Sequence, residues 1–118
     1  MKTNVVLDKS MDFAIKTVEI YKYLTFKKKE YVMSKQLLKS GTSIGANINE
    51  STAAQSKRDF LAKMSIASKE SRETLYWIKL LTRTNYIKDQ IYKEDCEELV
   101  RLLTSIVKST KENLETKE

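Results

Sequence analysis

Proline and histidine are absent from this 118-residue chain, glycine occurs only at Gly41 and Gly45, and Cys96 is the single cysteine. With so little glycine there is no phosphate-cradling Gly-rich loop, no dinucleotide fingerprint and no Asn-Gly or Asp-Gly hairpin turn. Strands joined by tight turns are therefore disfavoured, and the chain is expected to be all-helical. The lack of histidine excludes Ser-His and Cys-His catalytic pairs, imidazole metal sites and the Glu-x-x-His di-iron set of some helical bundles. One cysteine cannot close an intrachain disulfide. Cys96 lies in a helical pattern and reads as a small apolar core residue, which suits a reducing cytoplasm. No stretch approaches the roughly 18 uncharged apolar residues of a membrane span, and Met1 to Leu7 is too short for a signal peptide. A cytoplasmic location away from membranes is expected.

What is abundant is positive charge. Twenty-two Lys and Arg against 16 Asp and Glu give +6 and a pI near 9.3, which permits an anionic partner. The excess is uneven. Residues 1–84 hold 16 basic and 8 acidic side chains, a balance of +8, whereas 85–118 hold 6 and 8, a balance of −2.

Apolar residues recur at helical steps in four segments. The first runs from Asp8 to about Phe26, with Met11, Ala14, Ile15, Val18, Tyr21 and Leu24 as its expected buried stripe. A charged connection, Lys27 to Glu30, leads into a second helix of about Glu30 to Ser51, carrying Met33, Leu37, Ile44 and Ile48. Gly41 and Gly45 inside it cost about 1 kcal/mol each relative to alanine. Either another helix backbone approaches closely there, or the chain turns. Ser56 and Asp59 form a capping box before Phe60 and Leu61, so Thr52 to Gln55 is the expected loop and Ser56 the N-cap of a third helix reaching about Thr84. Its seam, Phe60, Met64, Ala67, Ser71, Thr74, Ile78 and Leu81, advances in steps of four and three. Asn85 to Asp95 is expected to include a turn. A fourth helix carries Cys96, Leu99, Val100, Leu103, Ile106 and Val107, and the N-terminal residues and a polar tail from about Lys108 are expected to be flexible. Four such helices with short connections predict one domain over residues 1–118, an antiparallel up-down-up-down four-helix bundle.

Three surfaces are candidates for function. On the third helix Ile66, Glu70, Glu73, Trp77 and Leu80 form a second band about 100° from the seam. It suggests either self-association or a wide core-facing stripe with Trp77 at its border. On the second helix Gln36, Ser40, Ser43, Asn47 and Glu50 share one face. Glu50 with Glu70 and Glu73 could offer oxygen ligands to a hard cation, or these residues form a polar network across helices or subunits; the network is the expected reading, with no metal or cofactor. Finally, Arg58, Ser65, Lys69, Arg72, Tyr76, Lys79 and Arg83 follow one stripe spanning 25 helical rises, about 38 Å. Such a stripe is either a solvated face or an anion-binding one, long enough to track several phosphates, with Tyr76 available to stack on a base.

The run from Lys39 to Glu50, Lys-Ser-Gly-Thr-Ser-Ile-Gly-Ala-Asn-Ile-Asn-Glu, the capping segment Ser56 to Phe60 and the run Ile66 to Ile78 together resemble the 23S rRNA intervening-sequence protein family, over about Asp8 to Val107. The resemblance implies a left-handed up-down bundle that assembles into ring-shaped homopentamers, and it places Gly41 and Gly45 inside a helix. It marks Ser40, Ser43, Asn47, Glu50, Glu70, Glu73 and Trp77 as characteristic positions without a catalytic role. A similar pentameric bundle serves diversity-generating retroelements as a nucleic-acid-binding accessory of their reverse transcriptase, so the implied partners are other copies of the chain, RNA or DNA, and a protein such as a reverse transcriptase. The expected function is a non-enzymatic, homo-oligomeric nucleic-acid-binding bundle. Its rivals are a protein scaffold without nucleic-acid contact and a metal-dependent nuclease using Glu50, Glu70 and Glu73.

Overall fold

In the computed structural model, which describes residues 2–117 and the side chains of 5–116, four helices follow one another: α1 (Lys2–Phe26), α2 (Met33–Ser51), α3 (Lys57–Arg83) and α4 (Gln90–Lys117). Each packs along its neighbour in sequence, and α4 returns to α1 by a thinner contact that closes the bundle. Among the described residues there is no strand, and no helix is long and apolar enough to cross a membrane. The chain folds as the expected all-α four-helix bundle.

The core explains where the elements begin and end. Leu24, Leu37, Ile44, Ile48, Met64, Ala67, Ile78, Leu81, Tyr92, Cys96, Leu99 and Leu103 are all fully buried along its axis. In α3 the seam is as the four-three spacing predicts, with Met64, Ala67, Ser71, Thr74, Ile78 and Leu81 buried. Ser56 caps that helix, its Oγ accepting from the Asp59 N–H at 3.0 Å, while the Asp59 carboxylate accepts from the Gln55 N–H. At the other end Asn85, at φ 68°, takes the left-handed conformation that asparagine tolerates. The Tyr86 and Asn85 N–H groups then close back onto the Leu81 and Thr82 carbonyls.

Helix α1 departs from the expected reading. It starts at Lys2 and not near Asp8, and its buried face is Val6, Ser10, Phe13, Thr17 and Leu24. Met11, Ile15 and Val18, expected in the core, are 59, 54 and 36% exposed. Close packing is the reason. A Cβ at Gly41 would sit 2.7 Å from Thr17 Cγ2, and one at Gly45 would sit 3.1 Å from Ser10 Oγ. Small hydroxyl residues of α1 thus press against the bare backbone of α2. Their polarity is absorbed locally, Ser10 donating to the Leu7 carbonyl at 2.7 Å and Thr17 to the Phe13 carbonyl at 2.9 Å. Neither glycine has positive φ, so the close approach holds and the turn does not.

Two further boundaries shift. Helix α2 begins at Met33, and Glu30 lies before it as a buried carboxylate that accepts from the N–H groups of Val32, Met33 and Ser34 at 2.7–3.1 Å. Burial pushes this carboxyl up, but those hydrogen bonds outweigh it and hold Glu30 below the ordinary glutamate range. Helix α4 begins at Gln90, where Asp89 accepts from the Tyr92 N–H at 2.9 Å. Tyr92, outside the expected core, is fully buried, stacked on Phe13 at 4.7 Å with its hydroxyl 2.7 Å from Thr17 Oγ1. Helix α4 then continues to Lys117, through the tail expected to fray from about residue 108.

Candidate functional site

Helix α3 separates two chemically different flanks. Thr74, at the edge facing α2, lies 2.9 Å from Ser40 Oγ, and Ser65, Ser68 and Arg72, at the opposite edge, line a groove shared with α4. At about 100° per residue, Glu70 and Trp77 belong to the Thr74 flank, and Arg72, Tyr76, Lys79 and Arg83 to the other. Lys69 lies at the outer border of that cationic flank, and Glu73 points outward between the two.

On the α2 flank, the segment from Ser40 to Glu50 divides its residues between two neighbours. Gly41 and Gly45 meet α1, as above, while Ser40, at the other edge of α2, meets Thr74 of α3. Of Ser40, Ser43, Asn47 and Glu50, only Ser40 is fully buried. Ser43 donates to the Lys39 carbonyl at 2.6 Å and Asn47 to the Ser43 carbonyl at 2.9 Å, both within α2. Among the described residues the side-chain bond between α2 and α3 is thus Ser40 to Thr74, and Asn47 and Glu50 make none of the expected bridges to α3. Glu50 and Glu73 are exposed and Glu70 is half-buried. The three carboxylates are not gathered into a ligand set, for no group of three or more His, Cys, Asp or Glu suited to a metal occurs among the described residues. Trp77 is half-buried against the core, with Nε1 3.3 Å from a Glu73 carboxylate oxygen and Tyr76 edge-on at 5.1 Å. Leu80 is likewise half-buried and Ile66 is 43% exposed.

The α4 flank carries the cations. Arg58, Lys69, Arg72, Lys79 and Arg83 are all exposed, and Tyr76 is 58% exposed. Lys69, Arg72, Lys79 and Arg83 have no ion pair among the described residues; Arg72 Nη1 instead donates to Ser68 Oγ at 3.0 Å. Helix α4 adds residues that reading along one helix misses. Thr104, Val107, Lys108 and Lys111 form the other wall of the α3–α4 groove. One signal for them lies in the sequence, because between Glu98 and Glu112 the otherwise acidic fourth segment contains no carboxylate.

Cys96 adds no nucleophile. Its thiol is buried, lies 3.5 Å from the Ser71 carbonyl, and burial pushes its pKa up to about 12.

With this geometry in place the relatives are informative. The model of the 23S rRNA-intervening sequence protein family matches residues 2–108. The chain belongs to that family. A crystal structure of a protein with unknown function from the S23 ribosomal protein family of Bacteroides thetaiotaomicron VPI-5482 is 54% identical. It superposes with a TM-score of 0.87 over 92% of this chain and 99% of that one. No protein of curated function matches. Within this family member the motif from Ser40 to Glu50 has a packing logic: its glycines admit α1, and Ser40 ties α2 to α3.

Proposed function

We infer that this protein is a non-enzymatic, cytoplasmic bundle that assembles into homopentamers and binds RNA or DNA through repeated basic faces. The observation that carries the binding half is the cationic flank of α3, where Lys69, Arg72, Lys79 and Arg83 stand exposed and without ion pairs beside exposed Tyr76. Salt-bridged cations would be structural decoration, whereas unpaired ones in line provide contacts to successive backbone phosphates. Such contacts carry little sequence information, so weak sequence preference follows. A ring multiplies each modest face by its copy number.

Self-association is supported by apolar surface that the single chain leaves open. Met11, Ile15 and Val18 crop out along α1, beside a groove of about 460 Å³ whose walls include Leu7, Ala14, Gly45 and Ala46. On the α2–α3 side lie Ile66 and the exposed part of Trp77. A ring requires two different patches per copy, one for each neighbour, and these two supply them without covering the cationic flank. The same α1 face also favours a second reading, a scaffold whose ligand is a protein such as a reverse transcriptase. The lone buried thiol suits a reducing compartment.

Fluorescence anisotropy with single-stranded RNA and DNA distinguishes these readings. Replacing Lys69, Arg72, Lys79 and Arg83 together by glutamine is expected to weaken binding at least tenfold at about 0.1 M salt and to flatten its salt dependence, with helicity by circular dichroism unchanged. Unchanged affinity would reject this flank. No binding by the unmodified chain to either nucleic acid at low salt would favour the scaffold.

A further inference from the structure

We propose that the groove between α3 and α4 is a phosphate seat, built by Arg72 from one helix and Lys108 and Lys111 from the other. It is a cleft of about 370 Å³, within the size range of small-ligand sites and larger than one phosphate fills. Its charge is what sets it apart. The groove between α1 and α4 sets Lys9 and Lys16 against Asp12, Asp95 and Glu98, and Lys9 Nζ pairs with Glu98 at 3.2 Å. The cleft near the α1 C-terminal half likewise balances Lys16 and Lys88 with Glu19 and Asp89. The α3–α4 groove has three cations and no carboxylate in its lining. Lys108 and Lys111, one turn apart, repel each other, and no ion pair relieves them or Arg72 among the described residues. An anion in the groove would.

The donor geometry suits a tetrahedral oxyanion. Arg72 is anchored rather than free, since its Nη1 bonds the hydroxyl of buried Ser68, and the remaining guanidinium N–H groups stay available in a planar fork matched to phosphate. The Ser65 hydroxyl, half-buried in the wall, has no hydrogen-bond partner among the described residues and adds a donor. The Thr104 proton is committed to the Val100 carbonyl at 2.7 Å, so Thr104 serves as wall. Val107 gives the α4 wall an apolar stretch against which a sugar can rest. The seat rests on the nucleic-acid reading for its source, the phosphodiester of a strand lying along α3, but its chemistry also admits a free phosphate.

Lys108→Gln with Lys111→Gln tests it, because neither residue belongs to the α3 stripe and both are exposed, so the fold is retained. The control is Lys22→Gln with Lys35→Gln, which removes the same charge from exposed positions on α1 and α2. For single-stranded RNA, losing the one seated phosphate should make the slope of log K against log salt shallower by about 0.7, with the control's slope unchanged. A groove variant indistinguishable from the control, with RNA still bound, overturns the seat and leaves the nucleic-acid reading standing. Titration of the unmodified protein with inorganic phosphate, followed by the NMR amide signals of Ser65, Ser68 and Thr104, separates the sources. Saturable shifts there, abolished in the groove variant, support the seat even where RNA fails to bind. No shifts and no RNA binding overturn both.

Discussion

Thr17 shows how one residue can decide a packing distance. Its hydroxyl donates to the Phe13 carbonyl and lies 2.7 Å from the Tyr92 hydroxyl, so the side chain is held on two sides and cannot turn away from Gly41. An added Cβ at Gly41 would sit 2.7 Å from Thr17 Cγ2, too close for the doubly held side chain to stay where it is. Alanine gains about 1 kcal/mol of helix propensity there, but overpacking a fixed neighbour costs about 1–3 kcal/mol, and the clash wins. Gly41→Ala is expected to lower stability by up to about 2 kcal/mol in urea denaturation. At Gly45 the nearest atom is Ser10 Oγ at 3.1 Å, on a serine that can give by a few tenths of an ångström. Gly45→Ala is therefore expected to be within about 0.5 kcal/mol of the parent. Equal losses at both positions would contradict this account of α1–α2 packing.

At the scale of elements, legibility followed whether a helix announces itself in its own residues. Helix α3 does so, through the Ser56 and Asp59 box and a four-three seam whose ends are the apolar Phe60, Met64, Ile78 and Leu81. Helix α1 does not, because Ser10 and Thr17 occupy core positions that a polarity pattern assigns to solvent, leaving the more apolar Met11, Ile15 and Val18 to be mistaken for its inner face. The start of α2 was hidden similarly, since Glu30 reads as part of a charged connection until its carboxylate is seen capping three N–H groups. The cationic stripe on α3 was readable from one helix. Its opposite wall on α4 was not, because which α4 residues face Ser65 and Arg72 depends on the register between helices. Glu30 also makes a measurable prediction. Glu30→Ala removes the cap and its charge at the positive end of α2, costing about 1–2 kcal/mol at neutral pH. Because its folded pKa is depressed, that stabilisation is present above the ordinary glutamate range and is lost as pH falls through the folded value. Denaturation curves of parent and Glu30→Ala should therefore converge in acid. A gap that stays constant down to strongly acidic pH would show that the carboxylate charge plays no part.

For the whole molecule, the decisive question is how the two apolar outcrops are used. A chain that met its own α1 face in a symmetric dimer would need only Met11, Ile15 and Val18, and the α2–α3 patch would have no role in assembly. A closed ring uses both, α1 of one copy against Ile66 and Trp77 of the next. The two arrangements respond differently to a charge placed on one face. Ile15 is 54% and Ile66 43% exposed in the single chain, so Ile15→Glu and Ile66→Glu cost little in folding yet put an unpaired carboxylate into any contact formed there. In a ring, each variant alone retains one good face with no intact counterpart, so light scattering at micromolar concentration should report monomers for both. Mixed in equal amounts, the intact α2–α3 face of the Ile15→Glu chain can meet the intact α1 face of the Ile66→Glu chain. That contact has no way to propagate, and a one-to-one heterodimer is the expected product. A symmetric α1 pairing predicts instead that Ile66→Glu dimerises by itself and that mixing changes nothing, an outcome that would leave the ring without its second patch.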